Sequence, residues 1–351
     1  MTVTPGSRRD ARERALELLY EAESKGLDVA TVIDGLAIAP DAYATALAVG
    51  VADHAIALDH LLGRFARDWP VARMAVMDRT VMRVGALELA TAGDIPSGAV
   101  LSEAVELAAR YGSSDDTSRF VNGILAAVAD EVRGGPRAWT PIEVVVFDMD
   151  GVIRHWDNAD LDELGLAHAA VGDVAFAEDR LTRAMTGGLS LADWSSEIGE
   201  VLSPDDPERA RAIAAAWTAS TWTVDDAMIS LIDRVRAAGV RTAVLSNATD
   251  RLESQIEEMG VTDRFATVVN SWRVGAAKPD PTVYAAADAA IASTPGDGGA
   301  VDPERVLFID DRVDNVVAAL DHGWHAIEMR SADRLAGVFE RLGVLGVPDA
   351  T

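Results

Sequence analysis

The chain has 351 residues, a formal net charge of −26 and no cysteine, with 49% hydrophobic and 25% charged residues. This composition is typical of a globular protein rather than a disordered one, and the length favours two domains. The lack of cysteine excludes disulfides, thiol catalysis and Cys-ligated metal sites, and the acidic balance argues against broad, nonspecific affinity for nucleic acid or anionic membranes.

The lengths of the apolar runs bear on where the protein is located. No stretch approaches 18 consecutive apolar residues, and the first ten residues, MTVTPGSRRD, lack the apolar segment of a secretory signal. We therefore expect no membrane partner and a cytoplasmic protein.

The first 135 residues show helical periodicity. Apolar residues recur at helical spacing in residues 10–25, 78–92, 101–111 and 117–132, and no period-2 strand appears among them. This pattern predicts an all-α bundle.

Four helical segments carry a family resemblance. They read RRDARERALELLYEAE, DRTVMRVGALEL, IPSGAVLSEAVELAARYG and SRFVNGILAAVADEV. Together they resemble the NusB family of transcription antitermination factors. The resemblance implies an RNA-binding domain that recognises a short antitermination element of ribosomal RNA leaders, with the small ribosomal protein NusE as partner.

The resemblance implies that an arginine-rich first helix contributes to RNA binding. Guanidinium groups make bidentate phosphate contacts and stack on unpaired bases. Acidic residues interleave with these arginines, however, and such a mixed pattern is also typical of a solvated helix face with ion pairs one turn apart. The arginines in this sequence are Arg8, Arg9, Arg12 and Arg14.

Residues 133–141, RGGPRAWTP, mark a domain boundary. Two glycines and two prolines end a helix and do not begin a strand. We therefore expect a helical domain at residues 1–135, a linker at 136–141 and a second domain at 142–351.

The second domain opens on IEVVVFDMDGVI, residues 142–153. An apolar run without polar alternation is typical of a central strand in a parallel sheet. Asp148 and Asp150 follow its end, where ligands bind in open α/β sheets, and Gly151 permits a sharp turn. Alone, this pattern is equally compatible with an acidic turn after a core strand.

Three further signals follow in order. TAVLSN is a second apolar strand that ends at Ser246, Lys278 precedes a proline, and VLFIDD ends at Asp310 and Asp311. The four signals resemble the haloacid dehalogenase-like (HAD) hydrolase superfamily, in its branch with a small helical cap. The resemblance implies an α/β Rossmann-like domain.

The cap is expected at about residues 155–224, because the segment between Asp150 and Ser246 is too long for one crossover helix. Residues 175–185, 191–202 and 208–217 predict short helices. Large side chains build the core of so small a cap, and one or two of them are candidates for the substrate entrance, Trp156 above all. The tryptophans are Trp156, Trp194, Trp217 and Trp222.

The resemblance implies a Mg²⁺ site, since magnesium prefers carboxylate, water and phosphate oxygens. The implied ligands are the Asp148 carboxylate, the Asp150 backbone carbonyl and Asp311, with Asp310 beside or behind them. Asp148 is then the nucleophile that forms an aspartyl-phosphate, and Asp150 the general acid and base. Family members that displace halide lack an acid at the position of Asp150.

Two residues complete the implied catalytic set. Lys278 is one of two lysines in the chain, and a compact ammonium can neutralise the aspartyl-phosphate. Ser246 would bond the phosphoryl oxygens. For Ser246 and for the Asp310–Asp311 pair, plain strand-end polarity and a helix cap stay open as alternatives.

These patterns predict an all-α NusB-like bundle followed by a HAD-like domain with a helical cap. We expect a Mg²⁺-dependent phosphomonoesterase acting on a phosphorylated small molecule, fused to an RNA-binding antitermination domain. The alternative is an RNA-binding transcription factor whose hydrolase-like domain is regulatory or inactive.

Overall fold

The computed structural model describes residues 5–66, 69–114, 116–133, 141–157, 164–166, 168–294 and 300–345. The chain divides into two compact units, Met1–Trp139 and Thr140–Thr351. The expected linker at 136–141 spans this division, and all of it except Pro141 lies outside the described residues.

The regular elements of the first unit are all helices among its described residues, as the sequence predicts. Its core is formed by the apolar faces of these helices, which bury side chains such as Leu16, Leu62, Met82 and Leu125. The elements are α1 (Pro5–Lys25), α2 (Val29–Asp34), α3 (Ala42–Asp53), α4 (Ala55–Phe65), α5 (Val76–Thr91), α6 (Ser97–Tyr111) and α7 (Thr117–Arg133), with a 3-10 turn at Val71–Arg73.

One side chain ties the end of α7 to the end of α5. The Arg133 guanidinium donates to the backbone oxygens of Glu88 at 2.9 Å, Leu89 at 2.7 Å, Ala92 at 2.9 Å and Ile95 at 2.5 Å. The last carbonyls of a helix lack partners within it, so these bonds cap α5.

No single helix in the described ranges is long and apolar enough to cross a membrane. The helices Ala42–Asp53 and Ala55–Phe65, bent by 76° relative to each other, meet the criteria of length and composition only as a pair.

The second unit is built on a five-stranded parallel sheet with the order β5-β4-β1-β6-β7. The strand β1 lies at its centre, and all four of its residues are buried because both edges are paired and both faces covered. The strands are β1 (Val144–Phe147), β4 (Arg241–Ser246), β5 (Thr267–Asn270), β6 (Val306–Asp310) and β7 (His325–Glu328).

Helices cover both faces of this sheet. On one face Phe147 meets Phe339 edge to face, with ring centroids 6.4 Å apart. On the other, Phe308 meets Tyr284 at 6.0 Å. The helices of this core are α12 (Asp226–Ala237), α13 (Leu252–Glu258), α14 (Ser271–Val274), α15 (Pro281–Ala292), α16 (Val313–His322) and α17 (Ala332–Arg341), with 3-10 turns at Thr262–Arg264 and Pro303–Arg305.

A helical cap is inserted between β1 and α12. It is joined to the core through a two-stranded antiparallel sheet, β2 (Arg154–Asp157) and β3 (Thr221–Val224), in which Trp156 pairs with Trp222. The sequence pattern did not predict this small sheet, because four-residue strands with mixed polarity give little signal. The cap helices are α8 (His168–Ala175), α9 (Glu178–Met185), α10 (Leu191–Leu202) and α11 (Pro207–Thr218).

The cap helices correct one element of the sequence prediction. The segment predicted as one helix, 175–185, spans the end of α8 and all of α9, with a break at Phe176 and Ala177. The other two predicted helices match α10 and α11 to within a residue. Ser190 and Asp206 begin those helices by accepting backbone N–H bonds.

Candidate active site

Three carboxylates lie together at the carboxyl edge of the parallel sheet. Asp148 directly follows β1, Asp310 ends the neighbouring strand β6, and Asp311 comes next in the chain. One oxygen of each lies within 4.8 Å of the others. The register Phe147 to Ile309 and the bond from Asp148 N to Ile309 O, 2.8 Å, produce this meeting of the strand ends.

The ammonium of Lys278 is buried among these acids. Its Nζ lies 2.8 Å from Asp148 Oδ1 and 2.7 Å from Asp310 Oδ2, and it donates to Leu245 O at 2.9 Å. Asn247 holds the Lys278 backbone through two bonds of 2.7 and 2.8 Å. A fixed ammonium therefore faces the Asp148 carboxylate.

The charges of the cluster shift its pKa values. Burial raises the pKa of Asp148 to about 7, with Lys278 opposing and Asp310 and Asp150 adding to the rise. Burial alone would lower the pKa of Lys278, but Asp148 and Asp310 outweigh it and raise that pKa. Burial and Asp310 raise the pKa of Asp311. Burial and the neighbouring acids therefore both oppose ionisation of Asp148 and Asp311.

Asp310 is fully committed to neighbours in the protein. Its oxygens accept from Asn315 Nδ2 at 3.0 and 3.1 Å and from Arg312 N at 2.8 Å, besides Lys278. Asn315 is itself held by Tyr284, whose hydroxyl donates to its backbone oxygen at 2.8 Å. Asp310 therefore stands behind Asp148 and Asp311 and orients the lysine.

Asp311 has a different environment, because it is exposed and faces a glycine. A Cβ added at Gly151, where φ is +81°, would lie 2.4 Å from Asp311 Oδ2. Both the backbone conformation and this close approach require glycine there. The Asp311 carboxylate consequently packs directly over the turn that follows Asp148.

The Asp150 side chain is held by two residues of β2, the strand that leads into the cap. Arg154 Nε lies 2.5 Å from Asp150 Oδ1 and its Nη2 3.3 Å from Oδ2, while Trp156 Nε1 donates to Oδ1 at 2.7 Å. Arg154 is 1% exposed, donates to Gln255 at 2.9 Å and stacks 4.5 Å from the Trp156 ring centroid.

Ser246 ends β4 beside this cluster. It is 1% exposed, and its Oγ has no hydrogen-bond partner among the residues that the structure describes. Buried hydroxyls are normally bonded, so this one points to a ligand or solvent partner at the strand ends.

The donor set fits a magnesium ion. The carboxylates of Asp148 and Asp311 and the backbone carbonyl of Asp150 are hard oxygen ligands of the kind that magnesium prefers. Both oxygens of Asp310 already accept bonds from donors in the protein, so Asp310 is not a direct ligand. Asp148 and Asp311 are therefore the carboxylates that would contact the metal ion.

A cavity of about 920 Å³ opens over the acid cluster, between the core and the cap. Five of the six candidate residues form its floor or border it: Asp148, Asp150, Lys278 and Asp311 line it directly, and Asp310 lies beneath through Lys278. Ser246 is followed by Asn247, Ala248 and Thr249 in the lining.

Several tryptophans reach this cavity. Trp156, Trp194 and Trp217 line it, whereas Trp222 contacts Trp156 edge to face at 5.4 Å. The prediction singled out Trp156, which is 41% exposed.

Sequence reasoning did not identify Arg154, Asn247, Gln255 or Asn315. Asn247 adjoins the predicted Ser246, and Asn315 follows the acid pair by one helical turn, which are signals that could have found them. Arg154 gave none, because a lone arginine near a strand is ordinarily exposed.

Of the four predicted RNA-binding arginines, one is buried in the helical unit and three lie at its surface. Arg12 is 4% exposed and forks onto Glu88, with Nε to Oε2 at 2.8 Å and Nη2 to Oε1 at 2.7 Å. Tyr43 also donates to Glu88. The Arg12 guanidinium is therefore buried and bonded inside the bundle, unlike the other three arginines.

The other three arginines lie at the surface in ion pairs. Arg8 pairs with Asp94 at 3.0 Å, Arg14 pairs with Glu17 at 2.7 Å, and Arg9 contacts two acids of α6. The Arg9 distances are 2.6 Å to Glu103 and 2.8 Å to Glu106. Exposed pairs of this kind are weak and exchange readily for other anions.

Comparisons with known proteins agree with both units. The model of the haloacid dehalogenase-like hydrolase family matches residues 142–323, and that of the NusB family matches residues 9–130. The transcription antitermination protein NusB of Kineococcus radiotolerans is 38% identical over 128 residues, 35% of this chain and 93% of that protein. Its namesake in Saccharopolyspora erythraea is 39% identical over 145 residues, 39% of this chain and 97% of that protein.

Among solved structures, a HAD family enzyme from Bacteroides thetaiotaomicron is 17% identical with a TM-score of 0.46, covering 57% of this chain and 99% of that one. The NusB of T. maritima is 29% identical with a TM-score of 0.34, covering 37% of this chain and 94% of that one.

A parallel α/β sheet with clustered acids at its strand ends and a helical cap is a Rossmann-like architecture with a capped cavity at its carboxyl edge. The chain belongs to the haloacid dehalogenase-like hydrolase family through its second unit and to the NusB family through its first.

Proposed function

We propose that the second unit is a Mg²⁺-dependent phosphomonoesterase in which Asp148 is the nucleophile. The observation that carries this proposal is the meeting of Asp148, Lys278 and Asp311 at one sheet edge, beneath a cavity that also holds Asp150. Pockets at this edge are the usual ligand sites of open α/β sheets.

Asp148, Asp311 and the backbone carbonyl of Asp150 would hold the magnesium ion. When bound, the ion would offset the charge of the acids and of the substrate phosphoryl group and would orient that group. Lys278 supplies a second, permanent positive charge 2.8 Å from Asp148. Electrostatic attraction at this floor would position the phosphoryl group for in-line attack.

Two displacements complete the proposed reaction. An oxygen of Asp148 forms a bond to phosphorus while the ester P–O bond breaks, and Asp150 in its acid form gives its proton to the departing alkoxide. Asp150 then takes a proton from water, whose oxygen attacks phosphorus and releases inorganic phosphate and the free Asp148 carboxylate. Ser246 Oγ, buried without a partner among the described residues, would donate to the phosphoryl oxygens.

Asp150 favours phosphoryl transfer over halide displacement within the family. A halide leaves without a proton, whereas an alkoxide needs one. Asp150 lines the cavity with its side chain one-third exposed, and to protonate a leaving group there it would exchange a bond to Arg154 or Trp156 for that proton.

The test is phosphate release from p-nitrophenyl phosphate by the full chain with Mg²⁺. Asp148→Asn is expected to abolish turnover, because an amide is a poor nucleophile and a weak magnesium ligand. Excess chelator should do the same. Asp263→Asn, at an exposed turn remote from the cavity lining, is the matched control and should keep full activity. Undiminished activity in Asp148→Asn would remove the mechanism.

We propose a second function for the helical unit, which is binding of a ribosomal RNA leader element together with a NusE-type ribosomal protein. Its support is the 38–39% identity to NusB proteins over nearly their whole length and the surface position of Arg8, Arg9 and Arg14. In an acidic chain such binding should be modest and strongly salt-dependent. We also propose a cytoplasmic location, where both activities would operate.

Titration of the full chain with leader RNA, with and without the ribosomal protein, tests this second function. Reversing Arg8 and Arg9 to Glu should weaken binding at low salt and leave phosphate release unchanged. Arg119→Glu, another exposed arginine that pairs with Asp116, is the control. If the wild-type chain releases no phosphate while RNA binds, the hydrolase-like unit is regulatory or inactive instead.

A further inference from the structure

We propose, resting on the phosphomonoesterase function above, that the substrate's leaving group is uncharged and largely apolar, with an aromatic or alkyl body and no second anionic group. The part of the cavity that the phosphoryl group does not fill carries this inference. Neither family membership nor the acid cluster specifies such a substrate class.

The cavity is large for a phosphoryl group alone. Its volume, about 920 Å³, lies near the top of the range of roughly 300–1,000 Å³ that is usual for small-molecule sites. The acids and Lys278 occupy its core side, and the cap forms the opposite wall. A leaving group bonded to the phosphoryl oxygen would therefore extend from the floor toward the cap.

The cap wall is uncharged throughout the described residues that line it. Its apolar members come from α8, α9, α10 and α11 and the turns between them, and include Phe176, Leu181, Met185, Trp194 and Trp217. A carboxylate or second phosphate buried there would have no cation to pair with, and burying an unpaired charge is costly. The wall therefore disfavours phosphoglycolate, bisphosphates and nucleotide polyphosphates.

Three aromatic rings of this wall pack against one another, and Trp194 is the most buried of them, at 6% exposed. The centroids of Trp194 and Trp217 are 5.3 Å apart, those of Phe176 and Trp217 6.0 Å, and those of Phe176 and Trp194 6.3 Å, all edge to face. Trp194 is fixed by its Nε1 bond to Ala175 O at 3.2 Å. Phe176 is 57% exposed although it belongs to this cluster, so a flat apolar group could pack against it.

The hydroxyls of the wall are largely used within the cap. Thr186 Oγ1 donates to Thr182 O at 2.6 Å, and Thr218 Oγ1 donates either to Ala214 O at 2.9 Å or to Ser195 Oγ at 2.8 Å. Few donors remain to recognise a densely hydroxylated leaving group. This favours an aromatic or alkyl body over a sugar.

Of the basic residues of the lining, Lys278 and Arg312 belong to the core and Arg154 begins β2. Lys278 is engaged with Asp148 and Asp310, and Arg154 with Asp150. Arg312 is exposed and is the basic side chain best placed to receive a second anion, so it enters the test directly.

The test compares kcat/KM of the full chain with Mg²⁺ for 2-phenylethyl phosphate and phosphoglycolate, with p-nitrophenyl phosphate as the generic substrate. Both test esters depart as alkoxides, so the ratio reports mainly on leaving-group binding. We expect 2-phenylethyl phosphate to be favoured by about 10- to 100-fold, the range for burying one aromatic side chain.

Variants link that preference to the cap wall. Phe176→Ala and Trp217→Ala should lower kcat/KM for 2-phenylethyl phosphate several-fold more than they lower kcat/KM for phosphoglycolate. Val201→Ala, at another exposed apolar position of the cap outside the cavity lining, should change neither.

Three outcomes have distinct meanings. The preference and its loss in both aromatic variants support the inference. Turnover of p-nitrophenyl phosphate with phosphoglycolate equal to or better than 2-phenylethyl phosphate overturns the inference alone, especially if Arg312→Gln removes phosphoglycolate activity. Absence of turnover with all three substrates overturns the proposed phosphatase function itself, and the inference falls with it.

Discussion

The buried guanidinium of Arg154 grips the carboxylate of Asp150, with Nε 2.5 Å from Oδ1 and Nη2 3.3 Å from Oδ2. The two residues are four apart, and Arg154 begins β2, the strand that leads into the cap. The acid proposed to protonate the leaving group is thereby bonded to the connection between core and cap. Trp156 adds a third bond at 2.7 Å.

The first prediction concerns this pair. Arg154→Gln should lower kcat for alkyl phosphates by about tenfold or more, because Asp150 loses the fork that orients it and general acid catalysis typically contributes 10²–10⁴-fold. A purely structural role would lower the rates for alkyl and aryl esters together. The matched variant Trp156→Phe removes one donor but keeps a ring over Arg154, and its loss should be smaller.

The second prediction concerns Asp150 itself. Asp150→Asn should slow alkyl phosphates by roughly 10²–10⁴-fold and p-nitrophenyl phosphate far less, because a stabilised phenolate departs without a proton. Steady-state rates for a series of leaving groups measure this as a steeper dependence on leaving-group pKa. Equal losses across the series would instead make Asp150 a structural residue.

The third prediction concerns pH and metal removal. Burial raises the pKa of Asp148 from 3.8 to about 7, so between these values the folded chain holds a proton that the unfolded chain has released. Raising the pH through this window therefore lowers the free energy of unfolding of the metal-free protein. Thermal unfolding in chelator should show Asp148→Asn gaining on wild type as the pH rises from about 5 to about 7.5.

Magnesium supplies the control for that measurement. Added Mg²⁺ should raise the wild-type melting temperature at a pH of about 7.5 and should raise that of Asp148→Asn much less, since the variant lacks one charged ligand. A difference in melting temperature between wild type and Asp148→Asn that changes with neither pH nor Mg²⁺ would contradict the proposed roles of Asp148 as a buried acid and metal ligand.

The fourth prediction concerns the helical unit. Glu88→Gln should destabilise it by about 3–5 kcal/mol, the range for breaking one partner of a buried pair, because Arg12 would keep a buried charge with no carboxylate fork. Thermal unfolding of the full chain, followed by far-ultraviolet circular dichroism, measures the shift. Arg14→Ala, which breaks an exposed pair with Glu17, is the matched control and should cost below about 1 kcal/mol.

The strand ends show how far sequence reading reaches in this protein. The apolar runs before Asp148, Ser246 and Asp310 predicted strands that end at polar residues, and the first of them was predicted at the centre of a parallel sheet. The structure brings those residues to neighbouring strands of one sheet. Periodicity likewise predicted the helical bundle, since it reports which faces must be buried.

What the sequence by itself determined is thus the fold class of each part, the resemblance of the two parts to NusB and HAD proteins and the candidate acids, because these depend on local periodicity and on residue types in order. Only the tertiary structure decided the partners of the charged side chains. It buried Arg12 on Glu88, placed Arg154 on Asp150 and turned Asp310 behind Lys278. Those pairings depend on which helix or strand lies opposite in space, and the charge of an isolated residue carries no record of its distant neighbour.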